Sequence, residues 1–388
     1  MKFLFITNRT AFSTKSFGGA ESSIKLLSEK LAERSHEIHY LTLQKPKFIE
    51  VSLIKNSINL HFTKYIIGSS KLKLICFLNQ LILSKKINRL IKKYDIQLIY
   101  CFYELNILQA IKALKQKNSS VITVMRMAGL GWYEISKKSS FALNQYESTF
   151  NIVDSINFIH PELEKMTREK MEKIKMNVRI KSKFNLDIGT SLNINKNSPF
   201  PKVFDNRNTF RMIMAARFTD YQKRQDIIIR AAALLDPKID YEILLIGSGS
   251  EERKAKELIN HHSLSDKVKI IPFLNQEELW NLMHNSDLLL HASDYEGLGK
   301  IIIESMAIGL PVLVSNVTPL NFYIKDSING FLVENKDIEW AKKIHYLIKE
   351  VNKRLLVSKN SIDFINEYFN PDINVIMYEE EFSKLINR

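Results

Sequence analysis

Strand-length apolar runs and amphipathic helical patterns alternate along the chain, and the alternation occurs in two successive blocks. In the first block the strand-like runs are at 3–7, 38–43, 96–101 and 121–125, with helical patterns at 20–34 and 105–115. In the second block they are at 210–216, 242–247, 268–272, 288–292 and 312–315, with helical patterns at 251–260, 277–285 and 300–307. Strands that alternate with helices predict parallel sheets covered on both faces. The sequence therefore predicts an α/β chain with two doubly wound sheets in series.

An Asn-, Ser- and Pro-rich stretch lies between the two blocks and predicts a linker. The chain has 388 residues, which is enough for two domains with separate cores. We expect domains at 1–190 and 209–365, a linker at 191–208, and a C-terminal helix at 366–388 that packs back on the first domain. Because ligands bind beyond the carboxyl ends of strands in such sheets, the expected site is the cleft between the domains.

The net positive charge of the chain lies in its first half. Residues 1–200 hold 32 Lys and Arg against 15 Asp and Glu, a difference of +17, whereas residues 201–388 hold 24 against 27, a difference of −3. This asymmetry suggests that the first half faces an anionic partner, such as a membrane surface or a phosphorylated acceptor. A compositional bias towards Lys is the alternative. A nucleic-acid partner is not expected, because no nucleic-acid motif accompanies the charge.

The basic, amphipathic segment 71–93 leaves two interpretations open. One is a surface helix that rests on anionic lipid, and the other is an ordinary buried helix with Lys at its edge. No run reaches the roughly 20 apolar residues that span a bilayer, and the opening run predicts a strand rather than a signal peptide. The two cysteines, Cys76 and Cys101, have apolar neighbours and fit a reducing compartment. We expect a cytoplasmic protein, at the inner face of the membrane if it binds lipid.

The segment 293–315 (SDYEGLGKIIIESMAIGLPVLVS) combines a glycine turn with two spaced carboxylates. Gly297, Leu298 and Gly299 predict a tight turn into a helix, whose first N–H groups and dipole favour a phosphate. Glu304 follows Glu296 by eight residues, which in a helix is a rise of about 12 Å. That length is comparable to the reach across a diphosphate, so one carboxylate can accept from ribose hydroxyls and the other from sugar hydroxyls.

Two cations follow the first strand of the second block. That strand delivers Arg217 to its carboxyl end, and Lys223 follows six residues later, before an amphipathic helix. Cations in this position can neutralise a departing diphosphate. In the first block, Gly18 and Gly19 precede a helix and predict a loop that approaches phosphate.

Taken together, these motifs resemble the family 4 retaining glycosyltransferases of GT-B fold, which have two Rossmann-like domains. The resemblance covers essentially the whole chain and is strongest over 210–348, where ARF, KRQD, LLIGSGSEE, YEGLGKIIIESMAIGLPVLVS and INGFLV occur in the order of the family pattern. It implies that Glu296 contacts the sugar of a nucleotide-diphosphate donor and that Glu304 contacts its ribose. It also implies that Arg217 and Lys223 bind the diphosphate and that the Gly18–Gly19 loop closes over the donor.

The predicted site follows from these motifs and the resemblance. We assign Glu296, Arg217 and Lys223 as catalytic. We assign a further set as donor-binding: Gly18, Gly19, Arg126, Gly247, Gly297, Leu298, Gly299 and Glu304. No metal ligand and no cofactor is expected, because no Asp-x-Asp motif is present; the donor is expected to be UDP- or GDP-linked.

One departure from the family concerns the first domain. Many members carry a His after the strand that corresponds to 121–125, whereas this chain has Arg126. Three roles are open for Arg126: a ligand of a donor phosphate, a ligand of an acceptor carboxylate, or a structural cation. His284 and His291 are interpreted as packing residues. The Gly247-Ser248-Gly249 segment lacks the third glycine of a dinucleotide fingerprint, which argues against a dehydrogenase.

The resemblance implies a retaining hexosyltransferase. The abundance of Ile, Asn and Lys and the basic first half suggest that it acts on a glycan or lipid-linked acceptor, in the synthesis of a bacterial surface polysaccharide, lipopolysaccharide or capsule. The resemblance also implies an internal-return mechanism, in which the leaving phosphate takes the proton of the acceptor. Two alternatives stay open. One is a sugar-nucleotide epimerase with the same fold, and the other is a non-catalytic partner that binds a nucleotide-sugar or a glycan.

Overall fold

The computed structural model describes residues 1–388 except 9–11, 13–18, 44–57, 64–72, 118–119, 191, 193–208 and 220–221, and of 73–77 only the backbone. The chain divides into two compact units, Met1–Ile188 with Pro371–Arg388, and Gly189–Asn370. Each unit is built on a parallel sheet with helices, so the predicted α/β class with two doubly wound sheets is confirmed. The predicted linker 191–208 lies, apart from Leu192, outside the described residues.

The first unit has a seven-stranded parallel sheet in the order β3-β2-β1-β4-β5-β6-β7. Its strands are β1 (Lys2–Thr7), β2 (Glu37–Thr42), β3 (Ile58–Phe62), β4 (Leu98–Phe102), β5 (Ile122–Met127), β6 (Ser155–Phe158) and β7 (Lys183–Asn185). Its helices before the second unit are α1 (Gly19–Glu33), α2 (Lys73–Tyr94), α3 (Leu105–Lys115), α4 (Gly131–Lys138), α5 (Ser140–Phe150) and α6 (Pro161–Lys173).

The last helix of the chain belongs to this first unit. Side chains of Pro371–Ile386, including Tyr378 and Phe382, are buried in the same core as Phe3 on the first strand. The rings of Phe3 and Phe382 are 5.4 Å apart, in a tilted aromatic contact. Burial of each such ring stabilises the fold by about 1.5–3 kcal/mol, so the two ends of the sequence support one core.

The second unit has a six-stranded parallel sheet in the order β10-β9-β8-β11-β12-β13. Its strands are β8 (Phe210–Ala215), β9 (Tyr241–Ile246), β10 (Val268–Ile271), β11 (Leu288–His291), β12 (Val312–Ser315) and β13 (Phe331–Val333). Its helices are α7 (Gln225–Ala233), α8 (Glu252–His261), α9 (Gln276–His284), α10 (Lys300–Ala307), α11 (Leu320–Tyr323), α12 (Asp337–Lys349) and α13 (Val351–Tyr368), and the helix of the first unit at Pro371–Ile386 is α14.

The segment 71–93 corresponds to helix α2, which begins at Lys73. Leu83, Ile87 and Leu90 are buried on one face, whereas Leu78 and Ile82 are exposed. The described part of the chain contains no helix with the length and apolarity to cross a membrane.

Candidate active site

The strand order of the second unit places the predicted site residues at one point of its sheet. The chain runs from β8 outward to β10, then returns to β11 on the other side of β8 and continues to β13. The order therefore reverses between β8 and β11, which is where open α/β sheets bind ligands beyond the carboxyl ends of their strands. Arg217 and Lys223 follow β8, and Glu296 follows β11. The backbones of the two loops meet in a bridge between Lys223 and Ser293.

The centre of the site consists of a cation, a carboxylate and an imidazole. Lys223 Nζ is in contact with Glu296 Oε1. His291, the last residue of β11, has its Nε2 2.7 Å from the same Oε1 and 3.2 Å from Lys223 Nζ. Glu296 and His291 are both buried, and Lys223 is largely so. The three ionisable side chains are thus in mutual contact.

Burial governs the protonation of these groups. Burial, and in second place the charge of Arg217, lower the pKa of Lys223 to about 7. Burial and the neighbouring Lys223 also lower the pKa of His291 well below its usual value, so the imidazole is neutral. Arg217 is exposed yet close enough to act on Lys223, so the structure brings the two predicted cations together.

A polar network holds the loop that carries Glu296. Ser293 N donates to Ser315 Oγ at 2.9 Å, and Asn335 Nδ2 donates to the Ser293 carbonyl at 2.9 Å. The Ser315 hydroxyl donates to Asn335 Oδ1 at 2.5 Å. Arg224 donates to Asp294 Oδ1 at 3.0 Å. Loops that follow β11, β12 and β13 are therefore fixed to one another beside the site, which limits the movement of its groups.

The glycine turn at 297–299 starts helix α10, as the sequence predicts. Gly299 is the N-cap residue with φ of 65°, and a Cβ there would lie 2.7 Å from Ile302 Cδ1. Only glycine takes this conformation without strain. The Leu298 carbonyl accepts a hydrogen bond from Tyr323 at 2.5 Å. The first turn of α10 presents N–H groups and the positive end of the helix dipole, which favour an anion.

The spacing argument for the two carboxylates is wrong in one respect. Helix α10 begins at Lys300, so Glu296 lies in the preceding loop and only half of the interval to Glu304 is helical. A rise of about 12 Å along a continuous helix therefore does not apply. Glu304 is buried in α10, its Oε1 accepts from Gln276 Nε2 at 3.1 Å, and burial raises its pKa.

Gly247 supports the loop that carries Arg217. It follows β9 with φ of 142°, and a Cβ there would lie 2.3 Å from the Ala216 carbonyl oxygen. The missing side chain lets the loops after β8 and β9 pack backbone to backbone, and Phe218 pairs with Gly249 just beyond. Gly247 thus positions the Arg217 loop by close approach.

The other predicted site residues belong to the first unit. Gly18 lies outside the described residues, and Gly19 is the exposed first residue of α1. Arg126, at the end of β5, is buried and donates to Asp187 Oδ2 at 2.6 Å. It also donates to the hydroxyls of Tyr100 and Tyr378 at 3.4 and 3.3 Å. These contacts favour the structural role among the three left open for Arg126, and its role in donor binding stays a prediction.

His291 is the site residue that sequence reasoning missed. Its signal is one ionisable residue at the end of the apolar run 288–292, five positions before Glu296. A polar residue at the carboxyl end of a central strand points to a site, since ligands bind at that edge. His291 is buried, as a packing residue would be, but its contact with Glu296 is one that packing alone does not explain. In the part of the chain that the structure describes, no cluster of three His, Cys, Asp or Glu could hold a metal ion.

Comparison with known proteins identifies the second unit. The family model of glycosyl transferases group 1 matches residues 196–364. An uncharacterised glycosyltransferase of Methanocaldococcus jannaschii is 24% identical, with 84% of each chain aligned. A D-inositol 3-phosphate glycosyltransferase of Salinispora tropica is 29% identical, but the alignment covers only 31% of that protein.

Two solved structures share the fold over the whole chain. Anabaena HepE in complex with UDP and glucose superposes with a TM-score of 0.77 at 20% identity, over 99% of this chain and 100% of that one. WaaG, a glycosyltransferase involved in lipopolysaccharide biosynthesis, superposes with a TM-score of 0.69 at 15% identity, over 97% and 99%. Residues 196–364 therefore contain the domain of the glycosyl transferases group 1, and the whole chain has the GT-B fold of these glycosyltransferase structures.

Proposed function

We propose that the chain is a retaining glycosyltransferase of family 4 that moves a hexosyl group from a UDP- or GDP-linked donor to a glycan or lipid-linked acceptor. The observation that carries the proposal is the cluster of Lys223, Glu296 and His291 between β8 and β11, beside Arg217. Two cations and a buried carboxylate at a ligand-binding edge suit an anionic diphosphate that carries a hydroxyl-rich sugar.

Two similar proteins support the choice of substrates. HepE is described in complex with UDP and glucose, and WaaG acts in lipopolysaccharide biosynthesis. We extend these properties to this chain as a nucleotide-sugar donor and as a role in building a bacterial surface polysaccharide, lipopolysaccharide or capsule.

The proposed reaction needs little acid–base chemistry from the protein. The bond between the anomeric carbon and the diphosphate oxygen breaks, and the acceptor oxygen bonds to the anomeric carbon on the same face. The acceptor's proton passes to the leaving diphosphate. Arg217, Lys223 and the first turn of α10 stabilise the charge that develops on that diphosphate. Glu296 holds the sugar through its hydroxyls.

A donor panel tests the proposal. UDP-glucose, UDP-galactose, UDP-N-acetylglucosamine and GDP-mannose are compared by thermal shift and by slow hydrolysis, for wild type and Glu296→Ala. We expect one donor to stabilise and be hydrolysed by wild type, with hydrolysis lost in Glu296→Ala and retained in Glu277→Ala, a change at an exposed residue of α9.

The other outcomes of the panel select the alternatives. Binding without turnover, even with a membrane extract as acceptor, indicates a non-catalytic binding partner. Conversion of the donor sugar to an isomer indicates an epimerase. An inverted product by NMR rejects retention, and loss of activity in excess EDTA rejects the proposed metal independence.

The acceptor is proposed to bind the first unit at the carboxyl ends of β1 and β4. The strand order reverses there as well, because β2 and β3 lie on one side and β4 to β7 on the other. Polar groups meet at this point: Asn8 N donates to Glu104 Oε2 at 3.2 Å, and Asn106 donates to Asn8 Oδ1 at 2.7 Å. Glu104→Gln should raise the KM for the acceptor and leave the KM for the donor unchanged.

Contact with an anionic membrane is proposed through helix α2. The helix has six Lys and Arg and no acidic residue, and its exposed positions include Leu78, Ile82, Lys85, Arg89 and Lys92. Each basic residue near an anionic surface contributes about 1 kcal/mol. Reversal of Lys85 and Arg89 to Glu should therefore abolish co-sedimentation with phosphatidylglycerol vesicles at low salt, whereas reversal of Lys165 and Lys173 on α6 should not. Equal binding of both variants contradicts the proposal.

A further inference from the structure

His291 has contacts that a packing residue does not need. It is 1% exposed at the end of β11, and its Nε2 lies 2.7 Å from Glu296 Oε1. Its other nitrogen, Nδ1, is buried without a hydrogen-bond partner among the described residues. A buried, unpaired ring nitrogen is unfavourable, so this histidine lowers the stability of the fold.

The contacts define the tautomer of the ring. A nitrogen 2.7 Å from a carboxylate oxygen must carry hydrogen, so Nε2 is the N–H group and Nδ1 carries the lone pair. A protonated Nε2 cannot accept from Lys223, so the hydrogen bond of Lys223 goes to Glu296. Two donors, an ammonium and a neutral imidazole, therefore converge on Oε1 and leave Oε2 of Glu296 available to a hydroxyl.

When a donor binds, two anions compete for Lys223: the carboxylate of Glu296 and the diphosphate. In the free protein its ammonium contacts Glu296, whereas the proposed reaction needs it at the diphosphate. Its backbone is fixed by the bridge with Ser293, so the exchange is made by the side chain alone. Once the ammonium moves, Glu296 is a buried carboxylate that has lost one of its two donors, and a carboxylate in that state reorients or takes up a proton.

We propose that His291 is a positioning residue that keeps the carboxylate of Glu296 ionised and aimed at the donor sugar while Lys223 moves to the diphosphate. This inference rests on the proposed function. His291 is held by the sheet rather than by the loop, because it pairs in register with Val314 of β12. It can therefore retain Glu296 when the loops rearrange around a ligand, which is the kind of preorganisation that substrate positioning requires.

The first test needs no ligand. Long-range 1H–15N spectra of the uniformly labelled full chain report the tautomer and charge of each of the nine histidines, and His291→Gln identifies the signal. We expect His291 to be neutral with hydrogen on Nε2 at pH 7, and its Nε2 shift to change in Glu296→Gln. A charged ring, or hydrogen on Nδ1, overturns the proposal whatever the protein binds.

The second test replaces His291 by two amides of different length, Gln and Asn. The side-chain nitrogen of Gln reaches the position of Nε2, whereas that of Asn reaches only the position of Nδ1. Dissociation constants of UDP and UDP-glucose, or of GDP and GDP-mannose if wild type selects that pair, are measured by calorimetry. We expect His291→Asn and His291→Leu to weaken the nucleotide-sugar by about tenfold or more and the nucleotide alone by less than about twofold.

His291→Gln should restore most of the lost affinity for the sugar. If Gln and Asn behave alike, or if nucleotide and nucleotide-sugar weaken together, His291 does not act through Nε2 and the proposal is overturned. If wild type binds none of these ligands, the proposed function fails, and the NMR result still decides whether His291 donates to Glu296.

Discussion

At the scale of single residues, Lys223 combines two opposing demands. It must be charged to bind a diphosphate, yet burial and Arg217 lower its pKa to about 7. The neutral form therefore becomes the major one in the free protein as pH rises above 7. A bound diphosphate favours the ammonium, so its pKa rises on binding and binding takes up a proton. Affinity for a nucleoside diphosphate should consequently fall between pH 7 and 9, by up to about tenfold per pH unit.

Calorimetry with UDP or GDP across this range, in buffers of different ionisation enthalpy, measures both affinity and proton uptake. The second pKa of a terminal phosphate is about 6, below this window, so the ligand itself does not produce the trend. Lys223→Arg is the matched control, because a guanidinium stays charged and the dependence should flatten. A wild-type affinity that stays constant from pH 7 to 9 contradicts the prediction.

Gly247 gives a prediction about stability. Its φ of 142° is unfavourable for other residues, and a Cβ would lie 2.3 Å from a backbone oxygen that cannot move without shifting the Arg217 loop. Gly247→Ala should therefore destabilise the second unit by about 1–3 kcal/mol in urea unfolding, and should weaken diphosphate binding as the loop shifts. Ser248→Ala, at the next and exposed position, should change neither quantity. If both variants are equally stable, the close approach is not a constraint.

The residues of the second unit could be chosen from sequence because their chemistry and order are explicit. Arg217, Lys223 and Glu296 lie in the segments that follow apolar strands, at the carboxyl edge of the predicted sheet. The signal for His291 is weaker, because a single imidazole in LLLHA also has the pattern of a core residue. Its role depends on a contact with Glu296, which only the path of the following loop creates. Arg126 is predicted as a site residue from the local sequence. Its contact with Asp187, 61 positions further along the chain, is not indicated by that local sequence.

At the scale of elements, the long apolar runs were predicted as strands, whereas four short strands were not predicted. The structure has β12 at Val312–Ser315 and α10 at Lys300–Ala307, as predicted, because each is bounded by glycine or a turn. The strands β3, β6, β7 and β13 were not predicted. β7 has only three residues, Lys183–Asn185, with one buried, so its alternation is too short to be a signal. Sheet pairing, rather than local sequence, makes it a strand.

Helix α9 begins with a complete capping box, which gives a prediction for the element. Asn275 Oδ1 accepts from Glu278 N at 3.0 Å, and Glu278 Oε2 accepts from Asn275 N at 2.8 Å. Asn275→Ala should destabilise the second unit by about 1 kcal/mol, because the first N–H groups of the helix lose their acceptor. The next residue, Gln276, donates to Glu304, so donor affinity should fall as well.

Urea unfolding measures the stability of the Asn275→Ala protein, and calorimetry measures its affinity for the donor. Glu277→Ala is the control, since Glu277 lies exposed in the same first turn and takes no part in the box. An Asn275→Ala protein with unchanged stability shows that packing alone sets the start of α9. An Asn275→Ala protein with reduced stability but unchanged donor affinity shows that the cap does not affect donor binding through Gln276 and Glu304.

At the scale of the whole molecule, the chain leaves its first unit at Ile188 and returns to it at Pro371. The returning helix α14 closes the first core, and a buried polar group links it to the sheet. Tyr378 accepts from Arg126 at 3.3 Å and donates to the Leu186 carbonyl at 2.8 Å. The local sequence pattern predicts a C-terminal helix over 366–388. That pattern does not predict the hydrogen bond between Arg126 of β5 and Tyr378 of α14, which lie 252 positions apart.

Separate cores predict separate responses to mutation. Asp187→Asn leaves the buried guanidinium of Arg126 without its carboxylate, and loss of one member of a buried pair costs about 3–5 kcal/mol. The first unit alone should lose this stability. Trp132 is the one tryptophan of that unit, so its fluorescence in a Trp280→Phe, Trp340→Phe background follows the unfolding of the first core. Affinity of the second unit for a nucleoside diphosphate should stay unchanged.

The matched control is Glu134→Gln, which removes an exposed ion pair with Lys137 in the same unit. Exposed pairs contribute about 0–1 kcal/mol, so the transition of Trp132 should hardly move. The opposite pattern, an unchanged Trp132 transition with weaker diphosphate binding in Asp187→Asn, contradicts the structural role of Arg126. Arg126 would then be a ligand of the donor, as one interpretation of the sequence had it, and Asp187 would serve to orient it.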